Sequence, residues 1–333
     1  MKKKGLQINE ISSSTKKSFV LRVITSLILI ATLVPCVIIG DWFFVVPVVL
    51  VSFISFYEYI NVLSTKKYPI FIDIFTFIMA IVLTYWVWVK SGLTNGFISE
   101  SGHIVINDIA ISTLALATTI LILFLFALMY SRFDVTDVGY LSTMTLLISL
   151  GFQSFFFLRF SPMSSIANNY NYDGNSYLSC LLLLYVAIGS FMSDIGAYAT
   201  GILFGKHKMN PRISPKKTWE GFVGGVVLSF ASSFTFAMVL DANGIPLLKS
   251  ILDIEHWYIV LFISLAMPFI SVLGDFLFSA LKRYYNRKDF SNVLPGHGGV
   301  LDRIDSLLVT SLVVTVLILA FSFYRGLFLW ETL

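Results

Sequence analysis

The sequence predicts an all-α, polytopic integral membrane bundle of about nine transmembrane helices with its N-terminus in the cytoplasm. Three observations carry that expectation. First, 57% of the 333 residues are hydrophobic and only 13% are charged, about half the charged fraction of an average soluble domain. That leaves too little polar surface to wrap a water-soluble globule of this size, and the hydrophobicity also excludes a disordered chain. Second, the apolar runs reach the ~20 residues a spanning helix needs and lack the two-residue alternation of barrel strands. Third, the basic residues segregate to one side of the runs, as the positive-inside rule expects.

In chain order, residues 1–18 are polar and Lys-rich. They resemble the start of a signal peptide, but the apolar run after them is long enough to span and no Ala-x-Ala-like site follows, so a retained first helix is expected. The nine spans fall at 19–39, 42–62, 70–90, 109–130, 138–158, 178–204, 219–240, 257–278 and 305–329. The loops 91–108 and 159–177 read as solvated connections on the outer side. With the N-terminus inside, all of the 23 basic residues except Lys90, Arg159, Lys249 and Arg325 fall on the inner face. Three regions follow: a basic segment 1–18, N-terminal transmembrane helices 19–177, and a chemically dense transmembrane region 178–333 with cytoplasmic loops 205–218 and 279–304. Cys36 and Cys180 both lie inside apolar runs, which suits small packing residues rather than a disulfide or a metal site.

Two clusters carry chemistry. The first joins Asp194, inside an otherwise apolar run, to Ser214-Pro-Lys-Lys-Thr-Trp-Glu-Gly221. An ionisable group at that depth costs about 2.5–3.5 kcal/mol to insert and is a functional candidate by default; the plainer alternative is an Asp paired within the bundle. Lys216 and Lys217 precede Thr218, where a helix could start, and a helix N-terminus beside lysines suits phosphate. Anchoring to anionic headgroups is the competing reading of those lysines.

The second cluster runs from Gly274-Asp275 through Lys282, Arg283, Lys288 and Pro295-Gly-His-Gly-Gly299 to Asp302-Arg-Ile-Asp305-Ser306. The Pro–Gly stretch breaks any helix and makes a tight turn, whose glycines allow close approach of a ligand. Asp302 and Asp305 share one helix face. Carboxylates without cysteine are what Mg²⁺ prefers, usually one or two of them with substrate phosphates completing the shell. Lys and Arg neutralise the remaining phosphate charge. A structural ion-pair network is the alternative, but it has no use for a glycine turn. There is no Gly-x-x-x-x-Gly-Lys-Ser/Thr loop, which excludes P-loop NTPases.

The run from Ser279 to Asp305 resembles the signature of the phosphatidate cytidylyltransferases, the CDP-diacylglycerol synthases. It carries Ser279, Lys282, Arg283, Lys288, Asp289, Leu294, Pro295, His297, Gly298, Gly299, Asp302, Arg303 and Asp305 in order, and the upstream Ser-Pro-Lys-Lys-Thr-Trp-Glu-Gly segment is similar to a second landmark of that family. The resemblance covers roughly residues 190–310. It implies an Mg²⁺-dependent nucleotidyltransferase that acts on CTP and phosphatidic acid at the cytoplasmic face of a membrane, expected to be a bacterial inner membrane. Under it, Asp275 and Asp302 hold Mg²⁺, with Asp194 and Asp305 as additional ligands and room for a second cation. Asp275, Asp302, Asp305, Lys282, Arg303 and His297 form the catalytic set. Lys216, Lys217, Lys282, Arg283, Lys288, Ser279, Gly298 and Gly299 meet substrate phosphate. His297 is assigned positioning in preference to general-base work, because a phosphate monoester dianion is already nucleophilic. Membrane lipids are the expected surroundings, nucleic acid is not an expected partner, and a homodimer stays open. Two other readings are kept: a CTP-using lipid kinase, which releases CDP, and a transporter with a basic gate, which releases no pyrophosphate.

Overall fold

Where lipid offers no hydrogen-bond partners, a spanning chain must satisfy its backbone internally, and the long apolar runs accordingly form helices. The computed structural model describes residues 34–63, 68–90, 106–164, 180–248, 251–294 and 298–324. Its helices are α1 (Asp41–Asn61), α2 (Phe71–Lys90), α3 (Ile106–Met129), α4 (Val135–Ser164), α5 (Cys180–Phe204), α6 (Trp219–Ala242), α7 (Trp257–Tyr284) and α8 (Leu301–Tyr324). Among the described residues, α1 and α4 to α8 contain six stretches long and apolar enough to cross a membrane. The chain is an all-α polytopic membrane protein. Of the first expected span, 19–39, residues 34–39 are helical and the rest lies outside the described residues, as does the 1–18 segment.

The expected all-α character has one departure. Within the 205–218 connection, Lys208–Asn210 (β1) and Ser214–Thr218 (β2) pair as an antiparallel hairpin. Glu220 clamps its base, accepting from the backbone N–H groups of Lys206 at 3.0 Å and His207 at 3.2 Å and contacting His207 Nδ1 at 2.6 Å. Pro211 and Pro215 exclude helix here, and the donors around Glu220 favour the folded-back turn instead. Helix α6 starts where the sequence suggested. Thr218 is its N-cap and accepts from Gly221 N at 3.1 Å.

Loop 279–304 is shorter than expected, because α7 continues to Tyr284 and α8 begins at Leu301. Lys282 and Arg283 thereby occupy the last turn of α7, where cations complement the helix dipole. At the other end, α4 runs on to Ser164, so residues 159–164 are helical where a loop was expected, and Arg159 is not a solvated loop residue. Arg159 is 1% exposed. Its Nε donates to Val37 O at 2.9 Å, and its guanidinium lies over the rings of Phe44 and Phe160. A Cβ on Gly40 would collide with that guanidinium, and Gly40 has φ +77°. Cys180 is buried, as a packing residue should be.

The most extensive helix pair is α5 with α6. Its contact surface is built from small residues, which let membrane helices approach backbone to backbone. A Cβ on Gly196, Gly221 or Gly225 would stand 2.7 Å from the carbonyl oxygen of Gly224, Ala197 or Ser193 respectively. This closeness carries the hairpin, with Lys217, onto the face of α5 that holds Asp194. Helix α8 packs against α7, α4 and α5 and also touches α1. A single hydrophobic core joins Phe56 and Tyr59 of α1, Phe152 of α4, Tyr185 of α5, Phe278 of α7 and Leu308 of α8. At the loop end, Tyr285 Oη donates to Asp137 at 3.3 Å and its ring lies 4.7 Å from that of Tyr140, tying the end of α7 to α4. Burial, with the Asp137 charge beside it, holds the Tyr285 phenol well above its ordinary range, so it remains a donor.

The Gly225→Ala variant places its new methyl against a backbone carbonyl that cannot rotate away, and overpacking of this kind costs roughly 1–3 kcal/mol. Gly139→Ala meets nothing within 4 Å and gains helix propensity instead. Thermal unfolding in detergent should show the first variant less stable than wild type and the second unchanged or more stable.

Candidate active site

Three helices and the hairpin converge on four carboxylates. Asp194 comes from α5, Asp275 from α7, and Asp302 and Asp305 from the first turns of α8. Asp275 is central. Its Oδ2 lies 2.5 Å from Lys217 Nζ, in a charge contact without hydrogen-bond geometry, and its Oδ1 accepts from Ser279 Oγ at 3.1 Å. Asp275 is also near enough to repel both Asp194 and Asp305. Asp194 lies in the fields of Lys217 and Arg303, and Ser306 Oγ stands 3.5 Å from its Oδ2. Lys217 Nζ lies 4.7 Å above the Phe276 ring, a desolvated cation–π contact.

The second centre is drier. Lys282 Nζ and Asp302 Oδ1 are 2.5 Å apart, with side chains 7% and 3% exposed. Asp302 Oδ2 accepts the backbone N–H groups of Phe290 and Gly299, each at 2.9 Å. Lys282 Nζ also faces the Phe290 ring at 5.0 Å. Asp305 lies one turn further along α8, 6% exposed.

The glycine turn packs against carboxylates of the protein itself. Leu294 N donates to Gly298 O at 2.9 Å, closing the turn. Gly298 has φ +84°, and a Cβ there would meet Asp289 Cγ and Asp302 Oδ2 at 3.3 Å. A Cβ on Gly299 would stand 2.7 Å from a carboxylate oxygen of Glu58. The close approach that these glycines permit is made by the protein's own carboxylates. His297 lies outside the described residues.

Of the sequence-chosen residues, the fold brings together Asp194, Lys217, Asp275, Ser279, Lys282, Asp302, Arg303, Asp305, Gly298 and Gly299. Lys216 and Lys288 are exposed at the rim. Arg283 turns to the backbone, donating from Nε to Ile213 O at 3.4 Å and from Nη1 to Arg287 O at 2.9 Å, and so braces the hairpin against its own loop. The reading from sequence missed Glu58, although the rule that flagged Asp194 applies equally to an acid inside the α1 run.

Among the described residues, no three His, Cys, Asp or Glu side chains form a ready-made metal cage. The donors nevertheless fit a hard cation shared with phosphate: they are all oxygen, and both Asp275 and Asp302 already hold an ammonium group at 2.5 Å. One or two carboxylates plus substrate oxygens is the usual Mg²⁺ arrangement.

Fold and site together define a polytopic membrane protein with a carboxylate–ammonium centre suited to phosphate chemistry. Residues 20–321 match the family model described as the cytidylyltransferase family, and the chain belongs to that family. The match extends the similarity well beyond the 190–310 region legible from motifs. The phosphatidate cytidylyltransferase of Bacillus subtilis is 35% identical over 195 residues, which cover 59% of this chain and 63% of that protein. That of Haemophilus influenzae is 42% identical over 143 residues, covering 41% and 45%. That of Staphylococcus saprophyticus is 27% identical over 298 residues, covering 90% and 98%. The aligned segments therefore span less than two thirds of the first two relatives and nearly all of the third.

Replacing Lys282 with Met leaves Asp302 as a buried charge without its cation, and breaking such a pair costs about 3–5 kcal/mol. The Lys282→Met/Asp302→Asn double variant removes both charges and should recover part of that loss. A double-mutant cycle of unfolding in detergent measures the difference.

Proposed function

We propose that this chain transfers CMP from CTP to phosphatidic acid, giving CDP-diacylglycerol and pyrophosphate. The observation that carries the reading is the close alternation of acid and base, Asp194–Lys217–Asp275 and Lys282–Asp302, drawn from three helices and the hairpin. A metal–polyphosphate complex needs both signs, since either alone would repel part of it. Family membership and the names of the relatives support the same substrates.

In this reading an oxygen of the lipid phosphate attacks the α-phosphorus of CTP in line. The new O–P bond joins lipid phosphate to CMP, and the bond from the α-phosphorus to the bridging oxygen breaks, so that pyrophosphate leaves with the electron pair. Positioning and charge neutralisation supply the catalysis, and no covalent protein intermediate is needed. Mg²⁺ held by Asp275 and Asp302, with Asp305 and Asp194 in support and room for a second cation, would neutralise the polyphosphate. Lys217, Lys282 and Arg303 face the phosphates from the centre, with Ser279 beside Asp275. Lys216, Arg283 and Lys288 draw the anionic substrates in from the rim, and Gly298, Gly299 and His297 shape the turn against them. The nine-span topology with the N-terminus in the cytoplasm belongs to the same proposal. It places the loops and the site at the cytoplasmic face, in a bacterial inner membrane, with surrounding lipids as the milieu and a homodimer as one assembly.

The test uses purified protein in lipid–detergent micelles with phosphatidate, Mg²⁺ and cytidine-labelled CTP. Label entering the lipid with an equal amount of pyrophosphate supports the proposal, whereas CDP with unlabelled lipid would replace it with a lipid kinase. Asp275→Asn should lower turnover by at least ~10²-fold while the protein stays folded in detergent. Chelation of the divalent cation should abolish turnover and restoring Mg²⁺ should return it; activity that survives chelation would remove the metal from the scheme.

A further inference from the structure

One carboxylate close to the site does no work in that scheme. Glu58 lies in the last turn of α1, in the half of the chain whose runs carry no recognisable chemistry. It is 0% exposed. Among the described residues no Lys, Arg or His approaches it within ion-pair distance. Its charge is met by hydrogen-bond donors. Oε1 accepts from Ser291 Oγ at 2.5 Å and Val300 N at 2.9 Å, and Oε2 accepts from Leu301 N at 2.8 Å. Leu301 opens α8, so Glu58 caps that helix from outside, 243 residues away in sequence. A carboxylate at a helix N-terminus satisfies orphan N–H groups and meets the positive end of the dipole.

The neighbouring donors belong to Asp302. Gly299 N bonds Asp302, whereas Val300 N and Leu301 N bond Glu58; Phe290 N bonds Asp302, whereas Ser291 Oγ bonds Glu58. The two strips that form the mouth of the glycine turn are therefore gripped alternately by two carboxylates. One of these sits in the catalytic centre. The other sits behind it, against the Gly299 position where no Cβ would fit. Release of Glu58 frees the backbone on which the Asp302 carboxylate hangs, while the body of α8 stays packed on α7, α4 and α5.

We infer that Glu58 is a positioning residue: through Val300, Leu301 and Ser291 it sets the start of α8 and hence the placement of Asp302 for the transfer step. The inference rests on the transferase reading above. Glu58 touches no substrate, and its effect passes through the turn.

The experiment compares wild type with Glu58→Gln, Ser291→Ala and Gly299→Ala, each in lipid–detergent micelles. Gln keeps the shape but faces an N–H donor with its own NH₂. Ser291→Ala removes one of the three bonds, and Gly299→Ala pushes on Glu58 from the opposite side. Two readouts are taken. Hydrogen exchange of the peptide covering residues 290–303 requires no turnover; it should speed up at the turn in all three variants, least in Ser291→Ala, with exchange elsewhere in the bundle unchanged. Steady-state kinetics should show kcat lower by roughly 10–100-fold for Glu58→Gln, a smaller drop for Ser291→Ala, and a KM for phosphatidate near that of wild type. A loosened turn with wild-type kcat overturns the inference. So does unchanged exchange at the turn, and so does loss of protection across the whole bundle in every variant, which would make Glu58 a fold residue only. If wild type itself transfers no CMP, the functional reading fails, and the exchange data still decide whether Glu58 holds the turn.

Discussion

A cation and a carboxylate almost out of water, Lys282 and Asp302, set the terms for the rest of this molecule. Taking both charges from solvent is expensive, and attraction between them repays the cost only when the remaining lone pairs are also satisfied. Here they are: Asp302 takes two backbone N–H groups from the 290–299 loop, and Lys282 lies over an aromatic face. The pair thereby folds the loop between α7 and α8 back over its own helix ends. The wetter pair, Lys217 with Asp275, does the same for the hairpin between α5 and α6. Two connections that would otherwise hang in solvent are drawn onto one centre.

That centre depends on steric choices made far from any charge. The α5–α6 contact admits no Cβ at Gly196, Gly221 or Gly225, and only at this separation does Lys217, the residue just before Thr218, fall beside residues of α5 and α7. Small residues at the helix contact and acids on the facing helices are two parts of one arrangement, the first fixing distances that the second exploits.

Much of this was legible in the sequence. Apolar run length predicted the helices, because lipid leaves the backbone no other solution, and the residue types in the two clusters announced phosphate chemistry. Thr218 was recognisable as a helix start by its position after Pro215. What stayed hidden required knowledge of partners. Arg159 reads as a loop residue until the 37–38 carbonyls and two Phe rings are placed around it. The hairpin at 208–218 has too few residues for a strand pattern to register and is held by Glu220 from the following helix. Gly298 and Gly299 were visible as a turn, but the occupants of the space they leave, Asp302 and Glu58, depend on long-range contacts that local spacing does not encode. Arg283 carries a phosphate-binding residue type, yet its donors go to Ile213 and Arg287.

The bonds from α1 to the start of α8 also have a meaning in time. Glu58 is synthesised 243 residues before Leu301, which at roughly 5–20 residues per second is about 12–50 s. Through that interval a carboxylate sits near the end of an apolar helix without the donors that later surround it, and the glycine turn that receives it does not yet exist. The chain therefore cannot finish its first half independently of its last. Closure of the ring from α1 to α8 is the event that turns a set of inserted helices into a protein with a single arrangement of its acids.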